Sequence, residues 1–222
     1  MPDAPTLLAF DTSAAHCAAA LRSGGSLVAL AQEDMARGQA ERLIPMLEEL
    51  LSQAGLCWGD LDALAVGIGP GNFTGLRVGV AAARGLALGL DRPCHGVSSF
   101  DVALSATSGD ALVCLPAPRD MAHVRAYRDG APDGPARLID PSDPPGDLAA
   151  GAGMQAVGPL ALQVGPTLGL PALETDLDAI APRICEIAER RHMGGDTAPD
   201  RPAPLYLRPP DAAPARAQPP VA

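Results

Sequence analysis

Asp11-Thr12-Ser13, at the end of a short apolar run, is the first place in the chain where chemistry could be done. A carboxylate beside two hydroxyls suits magnesium and phosphate, and the carboxyl end of a strand is where α/β folds gather ligand groups. The same residues equally satisfy the backbone of a tight turn. The second place is Gly67-Ile68-Gly69-Pro70-Gly71-Asn72-Phe73-Thr74-Gly75-Leu76-Arg77-Val78-Gly79. Its glycines permit positive φ and close backbone approach, and the free N–H groups opening the next helix favour an anion. Gly69, Gly71, Asn72 and Thr74 therefore join Asp11, Thr12 and Ser13 as phosphate-loop candidates. A structural hinge is the alternative.

Other chemistries are excluded by residue type. Pro70 between the glycines, with no acid at the ribose distance, rules out a dinucleotide fingerprint. All 16 basic residues are arginine, so P-loop, Schiff-base and Ser-x-x-Lys mechanisms have no lysine to use. His16, His95, His123 and His192 contain no i, i+4 pair for a metal, and no Gly-x-Ser-x-Gly elbow occurs. Ser98-Ser99 reads as a helix cap rather than a nucleophile. Five cysteines with no Cys-x-x-Cys pair fit a reduced compartment and give no zinc site. A net charge of −10 argues against a dominant nucleic-acid-binding role. No secretory signal is visible, and Gly, Pro or charge breaks each apolar stretch short of the ~18 residues of a bilayer span. The expectation is a cytoplasmic protein.

The elements that must hold these residues follow from hydrophobic period. Thr6–Phe10, Cys17–Leu21 and Ser26–Leu30 are predicted strands, the last two joined by a Gly24-Gly25 hairpin. Over Gln39–Ala54 the period becomes 3.6. Leu43, Ile44, Leu47, Leu50, Leu51 and Ala54 share a face, and Pro45 either bends the helix or marks its first turn. Ala63–Ile68 is a buried strand, followed by the glycine string and a helix to Leu90. A shorter strand and helix cover His95–Ser105. Strands are expected at Ala111–Leu115, Ala122–Tyr127 and Met154–Gly158, a loop over Pro132–Gly153, and a last helix at Leu177–Arg191. From Gly194 onward eight of 29 residues are proline, which predicts a mobile tail. Leu205-Tyr206-Leu207-Arg208 is the exception and should dock as an edge segment.

The helix after the glycine string carries Gly75, Gly79, Ala82, Ala83, Leu86 and Gly89 at intervals of three and four. One face is left almost without side chains. Each interior glycine costs roughly 1 kcal/mol relative to alanine, and close helix approach is the usual compensation. That approach can come from this chain, against the Leu43–Leu51 helix, or from a partner.

With these pieces assembled, the chain resembles the bacterial TsaB family (formerly YeaZ), the dimerisation subunit of the machinery that makes threonylcarbamoyladenosine in tRNA. The resemblance rests on Leu8-Ala9-Phe10-Asp11-Thr12-Ser13, Ala40-Glu41-Arg42-Leu43-Ile44-Pro45, the string from Gly69 to Gly79, Gly96-Val97-Ser98-Ser99 and Pro204-Leu205-Tyr206-Leu207-Arg208. It covers about residues 6–105 and returns at 204–208. Asn72 stands where a serine is common and Gln39 where many members carry histidine. Leu115-Pro116-Ala117-Pro118-Arg119 replaces an Asp-Ala-Arg-like segment and lacks its carboxylate.

The resemblance implies an α/β, actin-like ATPase (ribonuclease H-like) fold. Residues 1–108 would form the first lobe, 109–193 a reduced second lobe, and 194–222 a tail with docking segment 204–208. It also implies a non-catalytic scaffold. In the family, a TsaD-like subunit transfers threonylcarbamoyl from its adenylate to N6 of the adenosine beside the anticodon, in tRNAs reading codons that start with A. A TsaB-like chain binds it through its first two helices, a TsaE-like ATPase joins, and the chain pairs with itself when alone. tRNA would be touched only indirectly, with no cofactor, metal or membrane. Leu43, Leu47, Leu50, Gly75, Arg77, Gly79, Ala82, Ala83 and Leu86 are the expected interface residues, and the phosphate-loop candidates would be vestigial. The competing reading is a small nucleotide-dependent kinase or ATPase of the same fold, using Asp11, Thr12 and the Gly69–Gly75 loop. A peptidase has no metal pair, triad or lysine to work with.

Overall fold

Alternating strands and amphipathic helices dictate a sheet covered on both faces, and the computed structural model builds two such sheets. It describes residues 4–149, 153–195 and 201–207. In the first sheet β1 (Leu7–Asp11) is buried throughout, as a strand covered on both faces must be. β2 (His16–Ser23) and β3 (Ser26–Asp34) follow as antiparallel hairpin strands. Gly24 and Gly25 close that hairpin with φ of 58° and 77°, the two positive values a tight hairpin turn asks for. α1 (Gln39–Gln53) leads to β4 (Ala63–Gly67), parallel to β1. α2 (Phe73–Leu90) then leads to β5 (Cys94–Val97), parallel to β4. The strand order is β3-β2-β1-β4-β5.

Two apolar layers hold this sheet. Leu43, Met46, Leu47, Leu50 and Leu51 of α1 join Val80 and Ala83 of α2 over Leu8, Phe10, Leu21, Leu64 and Val66. Pro45 lies inside α1 at an exposed position, where its missing N–H leaves the Glu41 carbonyl to solvent; the helix continues through it. The opposite face of the sheet is lined largely by alanine, from Ala9, Ala18, Ala20, Ala63 and Ala65. Such small side chains let a helix lie close, and the helix is α5 (Ile180–Met193), through Ile180, Ile184, Cys185, Ile187 and Ala188. Grouping residues 109–193 as one lobe is therefore corrected at its last helix, which covers the first sheet.

The second sheet contains β6 (Ala111–Ala117), β7 (Met121–Arg128), β8 (Ala131–Pro132), β9 (Arg137–Ile139), β10 (Gln155–Val157) and β11 (Ala172–Leu173). Its order is β11-β10-β6-β7-β8, with β9 also on β7. α3 (Ser99–Leu104) bridges the sheets: Val102 joins the alanine layer, while Phe100 and Ala103 pack on Val113, Leu115 and Tyr127 of the second. α4 (Ala161–Thr167) covers the second sheet through Ala161 and Val164. β9 and a 3₁₀ turn at Gly146–Ala149 fall inside the expected loop. α4 and β11 have no counterpart in the sequence reading, because Gly165 and Pro166 hide a seven-residue helix.

Beyond α5, Leu205 and Leu207 pack on the Phe100–Tyr127 cluster, and the Leu205 N–H donates to the Ile68 carbonyl at 2.8 Å. Arg208 and the remaining tail, where mobility is expected, lie outside the described residues.

Candidate functional site

The Asp-Thr-Ser element and the glycine string meet, and they bond to each other. Asp11 is fully buried. Its Oδ1 accepts from the Ser13 backbone N–H and hydroxyl, each at 2.9 Å, and lies 2.7 Å from His16 Nε2. Its Oδ2 rests against Gly67, where any Cβ would occupy the oxygen's place. The Thr12 hydroxyl donates to the Gly75 carbonyl at 2.7 Å, and the Asn72 N–H donates to the Ser13 carbonyl at 2.6 Å. Asn72 caps α2, accepting from the Gly75 N–H at 3.0 Å.

The glycines record this closeness. A Cβ on Gly71 or Gly75 would collide with the backbone of Ser13 or Thr12, and one on Gly79 would lie 2.6 Å from the Thr12 hydroxyl. Gly69 has φ 88° and accepts at its carbonyl from the Ser99 N–H at 2.9 Å. Thr74 stands exposed in the first turn of α2. Of the phosphate-loop candidates, Thr12, Ser13, Gly71 and Asn72 thus spend their polar groups or their smallness inside the chain, while Asp11 is bonded through Oδ1 and its buried Oδ2 has no partner among the described residues.

The expected interface residues divide by burial. Leu43 is 1%, Leu47 0% and Leu50 1% exposed. They are packed in the chain's own core and have no surface to offer, so their assignment to a partner face is corrected. The physical reason is that an amphipathic stripe looks alike whichever apolar surface it meets. Gly75, Gly79 and Ala83 also face inward, Ala82 and Leu86 are half-buried against the same core, and Arg77 is exposed.

A different face of α2 is left uncovered by the described residues. Only 28% of this 18-residue helix is buried. Its open side runs through Thr74, Arg77, Ala81, Arg84, Gly85, Leu88 and Gly89, with Leu88 75% exposed. A Cβ on Gly85 or Gly89 would meet nothing within 4 Å. Packing inside this chain asks for neither glycine. Beside this stripe α1 exposes Ala40, Glu41, Ile44, Glu48 and Ser52. By length and composition alone α2 is apolar enough to cross a bilayer, but Arg77 and Arg84 interrupt it on the open side, as the sequence leads one to expect.

Two residues absent from the sequence-based set lie at the start of this face. The Arg77 guanidinium stacks 3.8 Å over the Phe73 ring, and Arg77 Nε donates to the Tyr206 hydroxyl at 3.1 Å. The Phe73 and Tyr206 rings are 5.2 Å apart. Tyr206 lies 129 residues from Arg77, so no spacing in the sequence could have signalled the group.

The remaining reactive residues are structural. Burial pushes the Cys94, Cys114 and Cys185 thiols up to about 12 and Cys17 to about 11; Cys57 is exposed. Arg42 bridges Glu33 and Glu49 at 2.6 and 2.7 Å and holds both carboxyls below their usual range. His95 Nε2 lies 3.5 Å from His192 Nδ1. Among the described residues no three metal-ligating side chains gather.

A family model described as tRNA N6-adenosine threonylcarbamoyltransferase matches residues 30–122. An uncharacterized protein of Mycobacterium tuberculosis (strain H37Rv) is 36% identical over 215 residues, spanning 94% of each chain. The tRNA threonylcarbamoyladenosine biosynthesis protein TsaB of Escherichia coli K12 is 42% identical over 94 residues, 42% of this chain and 40% of that one. YeaZ from Pseudomonas aeruginosa superposes with a TM-score of 0.68 at 28% identity, over 91% of this chain and all of that one. The hairpin-edged sheet of order β3-β2-β1-β4-β5, joined to a six-stranded second sheet, makes this a protein of the actin-like ATPase (ribonuclease H-like) fold. Within that fold the long glycine string and the full-length match to YeaZ narrow the choice. Over about two fifths of its length the chain is a homologue of TsaB, and over nearly all of it the chain shares the fold of YeaZ.

Proposed function

We propose that this chain is a non-catalytic subunit of the machinery that places threonylcarbamoyl on N6 of the adenosine beside the anticodon, in tRNAs reading codons that start with A. It docks on the threonylcarbamoyltransferase subunit and supports it. The observation that carries the reading is the open face of α2, where Gly85 and Gly89 stand bare although none of the described residues comes near them. Interior glycines that cost stability need a compensating close approach, and a partner helix supplies it.

The polar economy at β1 supports the same reading. The Thr12 hydroxyl and the Asn72 side chain, which would hold phosphates, are bonded to the backbone of Gly75, and the Ser13 hydroxyl to the Asp11 carboxylate. In this reading a TsaE-like ATPase joins the pair, tRNA is touched only through the transferase, and the work is done in the cytoplasm. With the transferase absent, the same face pairs two copies.

The test is reconstituted threonylcarbamoylation of tRNA by the cognate transferase components, with and without this chain. Modification should require the chain, while the chain alone shows none. Modification that proceeds equally well without it would overturn the proposal. Micromolar binding of magnesium-nucleotide by the isolated chain would then favour a small kinase or ATPase.

A further inference from the structure

In a chain with 26 acidic residues against 16 basic ones carboxylates are plentiful, and Arg22, Arg42, Arg128, Arg137, Arg183 and Arg191 each bind at least one. Among the described residues no carboxylate lies within ion-pairing distance of Arg77, yet its guanidinium is fixed. The Phe73 ring supports one flat side of it, and the Tyr206 hydroxyl oxygen accepts a hydrogen bond from its Nε–H.

Tyr206 is itself held. Leu205 hydrogen-bonds to Ile68, Leu205 and Leu207 sit in the Phe100–Tyr127 cluster, and Pro202 is buried against Gly96. The two terminal nitrogens of Arg77 are left over, on the open side of α2. A planar fork with its rotamer already set loses little entropy when it takes a carboxylate with two parallel hydrogen bonds.

We infer that Arg77, positioned by Phe73 and Tyr206, is a preset anion fork that receives an aspartate or glutamate from the transferase subunit docked on α2. The inference rests on the proposed function and gives the interface its polar anchor, at the end of the small-residue stripe where Thr74, Ala81 and Gly85 admit a helix. A protein carboxylate is favoured over an RNA phosphate, because the net charge of −10 repels a polyanion while the neighbouring stripe is shaped for a helix. Arg84 lies two turns further along the same side, exposed and without this support. Tyr206 is a positioning residue: it acts through Arg77.

The experiment is titration of the purified cognate transferase subunit with full-length chain at two ionic strengths. Arg77→Gln should weaken binding about 30-fold and flatten its salt dependence. Tyr206→Phe, which keeps the ring and removes the hydroxyl, should weaken it about fivefold. The double variant should bind no worse than Arg77→Gln alone, since Tyr206 has nothing left to position. Arg137→Gln, on β9 of the second sheet and paired there with Asp147, should stay within twofold. If wild type binds and Arg77→Gln matches it within twofold at both salts, the fork is overturned while the docking proposal stands. If wild type fails to bind, the docking proposal falls. If Arg77→Gln instead weakens retention of tRNA alone and leaves the transferase titration unchanged, the anion is a phosphate and the carboxylate assignment is overturned.

Discussion

His123 sits in β7 at 8% exposure with Nδ1 unpaired, and burial lowers its pKa from the usual 6.5. Above that value both folded and unfolded chains carry a neutral imidazole, and His123 contributes nothing to pH dependence. As pH falls through it, the unfolded chain takes a proton that the folded chain refuses, so stability is lost. Melting temperature should therefore drop between pH 7 and pH 5, and His123→Gln should reduce the drop. An identical drop in both proteins would show that His123 does not contribute. None of this was visible in the sequence, where His123 was one of four histidines without a partner pattern. Asp11 and His16 were equally hard to pair, because a separation of five positions becomes one contact only through the β1–β2 turn.

At the scale of elements, the strands of the first sheet, both long helices and the glycine turn were legible, because period and turn residues report them directly. Which side of a helix faces the core was not. The leucines of α1 carried the stronger apolar signal and are internal, whereas the face left open on α2 is marked by what is missing from it. Gly75, Gly79 and Gly89 stood in one stripe in the sequence reading, which left Gly85 out, and only the Thr12 contacts set the first two apart from the last. Gly79 is therefore a poor place to probe the interface, since a side chain there first disturbs Thr12. Gly85 is the place to act. Gly85→Ala should stabilise the isolated chain by about 1 kcal/mol in a denaturant melt, whereas Gly75→Ala, driven into the Thr12 carbonyl, should cost about 2 kcal/mol or more. Gly85→Leu should fold and lose the transferase. A Gly85→Leu chain that still supports tRNA modification at wild-type rate would remove the α2 face from the proposal.

Across the whole molecule, the decisive contacts join residues far apart in the chain. α5 covers the first sheet, and residues 202–207 brace the glycine string and the first turn of α2. A chain ending at Arg208 should melt and pair like the full chain. One ending at Gly195, deprived of Leu205, Tyr206 and Leu207, should melt several degrees lower and bind the transferase more weakly. Equal melting of the two truncations would mean that the terminal segment braces nothing.

The alanine-lined side of the first sheet also has a bearing on synthesis. Ala9, Ala18 and Ala20 are among the first residues made, and Ile180, Ile184 and Ile187, which cover them, are among the last of the folded body. With translation adding roughly 5–20 residues per second, that surface waits many seconds in water while the entire second sheet is being assembled. The protein cannot fold lobe by lobe behind the ribosome. Its first lobe closes only after its second has emerged, and nascent chains stalled before Ile180 present an uncovered alanine sheet to whatever chaperone is near.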